Sequence, residues 1–349
     1  MLEWLVERYI RRSTSCTLVC YLLYHCVLDR VPPQGTPHTY HYPNAMDAIE
    51  AGKHVLCEKP VTCNAAQLRS LLAAAKAQDV FVMEAMWTRF QPLSLEVKRL
   101  IDEGSLGMPV TVHADFSQNF DVESKCIATI TRISLTSSKP LDIPLTHRIL
   151  DPKLGGGGLL DLYVKRIAPI TIKNNIVFFR GPYPLVWVRN TLDFASIHLI
   201  TTKAIIALYE YPRNDCAKPT NIASAMLKTS QTNVDCNTSF TVTWSSPAFS
   251  AQAILSCSIN AHVHETAVII NFERGVIKIP SPIYCPNEFI VQRFDQVTKE
   301  ERRSYKYTGG GWHFQADEVA RCLRDGRRES GLWGHDKSLL QMEIFDEVS

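Results

Sequence analysis

The first 34 residues contain no glycine, and no GxGxxG occurs anywhere in the 349-residue chain. Folds that hold a dinucleotide open with a strand, a glycine-rich turn and a helix whose N-terminus takes the pyrophosphate. Residues 1–34 cannot supply that opening. No two of the 11 cysteines are spaced CxxC. This excludes the usual zinc and dithiol spacings, and the scatter of the rest argues against a disulfide scaffold. A reducing, cytoplasmic compartment is expected, with no metal site. Charge of one sign is also missing: 37 Lys and Arg face 35 Asp and Glu, a net +2. Nothing in that balance draws nucleic acid. Nor is there an apolar run long enough to span a bilayer. Thr17 to Leu28 follows Arg11 and Arg12 in the manner of a secretory signal. It is short, it contains His25, and no small-residue cleavage site follows it, so no membrane partner is expected. Repeats and low-complexity tracts are absent too.

What remains is the composition of an ordinary globular protein, 46% hydrophobic and 21% charged, long enough for two domains. Ala45 to Lys53 predicts a helix closed by Gly52. His54 to Cys57 is a short buried strand with Glu58-Lys59-Pro60 at its carboxyl end. A helix over Thr62 to Gln78 and a strand over Val80 to Ala85 complete a parallel strand-helix-strand unit. Ligands of such sheets bind beyond the carboxyl ends of the strands, where Lys59 and the Glu84 to Phe90 stretch fall. Gln91 to Glu103 is a further helix. From Val110 to Phe116 onward strands dominate: Ser239 to Trp244, Ala251 to Asn260, Ala267 to Phe272 and Val276 to Pro280. Late helices cover Ala316 to Leu323 and Ser338 to Val348. The expected fold is α/β followed by α+β: an incomplete Rossmann-like parallel sheet over residues 35–108, then a mostly antiparallel open sheet over 109–349, with residues 1–34 atypical.

Several motifs together carry a resemblance. They are GTPHTYHY from Gly35, AIEAGKHVLCEKP, and EAMWTRF from Glu84. Thr146-His147-Arg148, LGGGGLLDL, Gly181-Pro182-Tyr183-Pro184, FQADEVARCL and LLQMEIFDEV extend it. The chain resembles the Gfo/Idh/MocA oxidoreductases, and within them the subgroup of dimeric dihydrodiol dehydrogenase and fungal NADP-dependent D-xylose 1-dehydrogenase. The resemblance implies NADP as cofactor, a sugar hemiacetal or trans-dihydrodiol as substrate, and a homodimer formed through the C-terminal sheet. It implies Lys59, Tyr183 and Asp161 as catalytic residues. Thr36, Pro37, His38, Glu58, Lys59 and Pro60 would line the cofactor, and Trp87, Arg89 and Arg148 the substrate.

The chemistry is coherent. Hydride transfer from a carbinol requires a base on the hydroxyl. A tyrosine, with an ordinary pKa of about 10, becomes an adequate base when an ammonium beside it favours the phenolate. The plainer alternatives are a surface lysine before a turn proline, a buried tryptophan and a surface ion pair. Gly155 to Gly158 lacks the spacing of a phosphate cradle and reads as close backbone packing.

The pattern breaks at residues 125–142, 163–180 and 188–203. Their flanks can be back-translated to donor and acceptor splice sites: Leu162 to Lys165 can hold GTATGTAA, and Phe178 to Arg180 a pyrimidine tract ending in AG. Removal joins Leu162 to Gly181-Pro182-Tyr183 and sets Asp161 and Tyr183 four apart on one helical face. The three stretches carry nine Lys or Arg and two Asp, so without them the net charge of +2 becomes −5. They read as translated introns. Ordinary loop insertions are the alternative, but loops this long are uncommon. As the chain stands, a non-catalytic remnant and a dimerising sheet scaffold are the competing readings of function.

Overall fold

In the computed structural model the described residues are 38–118, 150–154 and 204–349 apart from 284, 297–298, 308–310 and 312. All three proposed insertions lie outside them, as do Thr36, Pro37, Arg148, Asp161 and Tyr183.

The first unit is compact and apolar. Helix α1 (His41–Glu50) precedes strand β1 (Val55–Cys57), helix α2 (Ala65–Ala77) and strand β2 (Val82–Glu84). Gly52 takes φ +70°, the left-handed conformation that ends α1 at low cost. β1 and β2 pair in parallel, Val55 opposite Val82 and Cys57 opposite Glu84, and every residue of both is buried. Burial on both faces is why these strands read as unbroken apolar runs rather than alternating ones. α2 starts at Asn64, whose side chain accepts from the Gln67 amide at 2.9 Å, while Gln67 reaches back to the Cys63 amide at 3.1 Å. A third unpaired amide, Ala65 N–H, is taken by Asp346 at 3.0 Å. After β2 a short 3-10 turn (Trp87–Phe90) leads into α3 (Pro92–Asp102), with proline in its first turn.

The second unit is an eight-stranded sheet. Its strands are β3 (Pro109–Ser117), β4 (Asn221–Lys228), β5 (Asp235–Ser245), β6 (Ser250–Ser258), β7 (Thr266–Phe272), β8 (Gly275–Pro280), β9 (Glu288–Arg293) and β10 (Glu300–Ser304), in the order β10-β9-β8-β7-β3-β6-β5-β4. All pairs are antiparallel except β3 with β6. Central strands alternate between buried and partly exposed residues, so one face packs against the core and the other lies open. Helices α4 (His313–Arg324) and α5 (His335–Val348) close the chain, and α5 packs on both α2 and β4.

The expected α/β-then-antiparallel architecture is present. Three strands went unpredicted. β4 and β10 are the two edges of the sheet, largely exposed, and they lack the apolar alternation that marks a half-buried strand. β9 (EFIVQR) is short and flanked by Pro286 and charged residues. No group of three His, Cys, Asp or Glu among the described residues is placed to hold a metal ion. None of the described helices is long and apolar enough to cross a membrane.

Candidate active site

The carboxyl ends of β1 and β2 lie side by side, because Ala85 N–H continues their pairing onto Cys57 O at 2.7 Å. Two loops therefore leave the sheet at the same edge. One carries Glu58, Lys59 and Pro60; the other carries Trp87 to Phe90.

Lys59 is only 7% exposed. Its loop is fixed from both sides. Lys59 N–H donates to Glu58 Oε2 at 3.3 Å, the Pro60 carbonyl accepts from His41 Nδ1 at 2.6 Å, and Val61 N–H donates to Glu84 Oε1 at 3.2 Å. The Lys59-Pro60 peptide is cis. His38 meets His41 edge to face with 5.5 Å between ring centres. His38, Lys59 and Pro60 thus belong to one neighbourhood, joined through His41. Burial pushes the Glu58 carboxyl up from its ordinary range, while the Lys59 ammonium pulls it back down.

Trp87 and Arg89 sit in the 3-10 turn, in which all four residues are buried. Arg89 Nε donates to Leu332 O at 3.2 Å, and its Nη2 pairs with the Glu210 carboxylate. The same carboxylate takes Lys337 at 3.2 Å and Lys98 at 3.6 Å. The ion pair of Arg89 is accordingly buried rather than at the surface, and it anchors the turn to α3, α5 and the helical residues 204–209 just before Glu210. Beside it lies a cavity of about 70 Å³ lined by Leu93, Val97, Ala207 and Ile270.

Sequence reasoning missed the residue at the centre of this edge. Glu84, 3% exposed, ends β2 and accepts from Val61 N–H, from Ser338 Oγ at 2.6 Å, from Gln341 Nε2 at 3.2 Å and from Trp333 Nε1 at 3.4 Å. Glu84 was visible as part of EAMWTRF, but three of its four partners lie 249 to 257 positions further along, beyond any spacing rule. Glu210 was missed for the same reason.

This arrangement belongs to a parallel-sheet nucleotide fold joined to an open antiparallel sheet, the class of a two-part dehydrogenase. Residues 32–86 match the model of the oxidoreductase family with an NAD-binding Rossmann fold. The D-xylose 1-dehydrogenase (NADP(+)) of Hypocrea jecorina is 34% identical over 327 residues, covering 90% of this chain and 70% of that enzyme. The trans-1,2-dihydrobenzene-1,2-diol dehydrogenase of Danio rerio is 27% identical over 319 residues, covering 90% and 75%. Among solved structures, an aldose-aldose oxidoreductase from Caulobacter crescentus complexed with glycerol superposes with a TM-score of 0.60 at 19% identity, covering 89% of this chain and 73% of that one. A levoglucosan dehydrogenase in complex with NADH and levoglucosan gives 0.61 at 16% identity, covering 89% and 75%. The chain belongs to the Gfo/Idh/MocA oxidoreductase family.

Proposed function

We propose that this protein is an NADP-dependent dehydrogenase acting on the CH–OH of a sugar hemiacetal, D-xylose first, with a trans-dihydrodiol as the next substrate class. The observation that carries the reading is the buried Lys59 at the carboxyl edge of two parallel strands, in a chain 34% identical to a D-xylose 1-dehydrogenase. The described residues fit the nicotinamide end of the cofactor. Lys59 and His38 share this edge through His41, whose Nδ1 meets the Pro60 carbonyl at 2.6 Å, and ligands of parallel sheets lie there. Thr36, Pro37, His38, Glu58, Lys59 and Pro60 would hold it, and bound there it accepts the hydride.

The protein's own part is proton handling and positioning. Lys59 favours the phenolate of Tyr183, which takes the hydroxyl proton of the substrate, and Asp161 orients the substrate or the lysine. Removal of residues 163–180 places Asp161 and Tyr183 one helical turn apart, which is why the site is assigned to the spliced chain. Trp87 and Arg148 stand on the substrate side. Arg89 serves that side by holding the turn that carries Trp87. The open face of the large sheet is the surface assigned to dimerisation. A cytoplasmic location belongs to the same proposal.

A fluorescence titration with NADPH and an assay of NADP-linked oxidation of D-xylose test this, run on the chain as given and on a repaired chain, spliced and with residues 1–34 replaced by a glycine-rich nucleotide-binding opening. Binding in the micromolar range and turnover are expected of the repaired chain. Lys59→Met should lower kcat by about 10²–10⁴ while binding persists. Absence of NADPH binding in both chains would leave a non-catalytic protein.

A further inference from the structure

We propose that Glu84 is a positioning residue that sets the Lys59 loop by clamping it to the C-terminal segment of the chain. This rests on the reading of Lys59 as catalytic. The geometry is specific. Glu84 Oε1 accepts from Val61 N–H, two residues after Lys59, and from Gln341 Nε2 on α5. Oε2 accepts from Ser338 Oγ, also on α5, and from Trp333 Nε1. Trp333 Nε1 donates in turn to Ser338 Oγ at 2.8 Å, which leaves the hydroxyl proton of Ser338 for the carboxylate. Every acceptor direction of the carboxyl group is thereby used, and each partner is buried.

The clamp does not stand alone. Arg328 O accepts from Val82 N–H at 3.1 Å, and His335 Nε2 reaches Val82 O at 2.9 Å. Residues 328–341 therefore pack against β2, Arg328 through one backbone bond and His335 and the first turns of α5 through side chains, and Glu84 is the point at which that segment meets the loop of Lys59. A loop beside a hydride-transfer site must hold its ammonium to within a fraction of an ångström, since small displacements there cost rate rather than binding. With Glu84 removed, Val61 N–H loses its side-chain acceptor among the described residues, and the loop loses its tie to β2 and α5 while the His41 contact to Pro60 O remains.

The test compares Glu84→Gln, Glu84→Ala and Gln341→Leu, the last retaining the carboxylate should Glu84→Ala fail to fold. Gln keeps an acceptor for Val61 N–H and offers its amide to the remaining lone pair of Ser338 Oγ. Amide hydrogen exchange over residues 58–62 is read first, because it needs neither cofactor nor turnover. Glu84→Ala should speed exchange there by about tenfold or more and Gln341→Leu by less, with Glu84→Gln close to the parent. In the repaired chain, Glu84→Ala should lower kcat for NADP-linked oxidation with KM little changed, and Glu84→Gln should restore it. Unchanged exchange in Glu84→Ala and Gln341→Leu overturns the clamp. A parent protein without dehydrogenase activity, in which exchange nevertheless rises as stated, keeps the clamp and refutes the catalytic reading of Lys59 instead.

Discussion

Glu210 offers the most demanding check on the packing described above. Its carboxylate is 13% exposed and faces three cations: Arg89, itself 7% exposed, Lys337 at 10%, and the more exposed Lys98 at 27%. Glu210→Ala leaves two nearly buried positive charges without their shared counterion. Lys337 keeps Asp336 at 3.9 Å and the Gly331 carbonyl at 3.5 Å, and Arg89 keeps the Leu332 carbonyl. Removing one member of a buried pair costs about 3–5 kcal/mol, most of it the stranded partner. Lys98 retains Asp102 at 2.8 Å and adds little. At roughly 2–4 °C per kcal/mol for a unit of this size, the melting temperature should fall by about 6–20 °C. Because the loss is chiefly that of a stranded charge, Glu210→Ala combined with Arg89→Met should recover part of it, with a coupling of about 1–3 kcal/mol. Urea unfolding followed by tryptophan fluorescence, on all four members of the cycle, measures both quantities. A single variant within about 0.5 kcal/mol of the parent, or additive effects in the double variant, would refute the reasoning.

Burial raises the Glu84 carboxyl above its ordinary value of 4.5, with the four hydrogen bonds it accepts opposing the shift, so ionising it costs more in the folded chain than in the unfolded one. That contribution is complete below the unfolded value and is lost as pH rises through the folded one. Glu84→Gln, which cannot ionise, should therefore gain on the parent in melting temperature from about pH 4 upward, and a constant difference across pH would contradict it. Among glycines, Gly275→Ala should destabilise strongly, because a Cβ there meets Gln292 O at 2.7 Å and Leu106 Cδ2 at 2.8 Å. Gly52→Ala, with φ +70° and nothing within 4 Å, should cost only about 1 kcal/mol of backbone strain. Thermal melts of the two separate these causes. Sequencing of the transcript should show a message lacking the codons for residues 125–142, 163–180 and 188–203, and a message retaining all three would defeat the splicing argument.

Local pattern made the first unit legible. Gly52, the helix of α2 and the short apolar runs of β1 and β2 all act within a few residues, and each was placed to within a few positions. Central strands β5 to β8 were equally plain, since one buried face imposes alternation. The edges β4 and β10 were not, because a strand that buries little writes little into its sequence. At the site, Lys59 was readable through its motif and its place after a strand. The partners that give Glu84 and Glu210 their roles were not. Contacts such as Glu84 with Gln341 join the two ends of the described chain, and only the folded topology brings them together.

The docking of residues 328–341 along β2 also has a consequence for biosynthesis. The N-terminal unit emerges from the ribosome early, yet the groups that cover β2 and satisfy the Glu84 carboxylate are among the last translated. Until then, one side of that small sheet stays uncovered, open to chaperones and to unwanted pairing. A premature stop shortly before Arg328 would release a protein that retains every described strand of the large sheet but lacks the segment that packs against its small one.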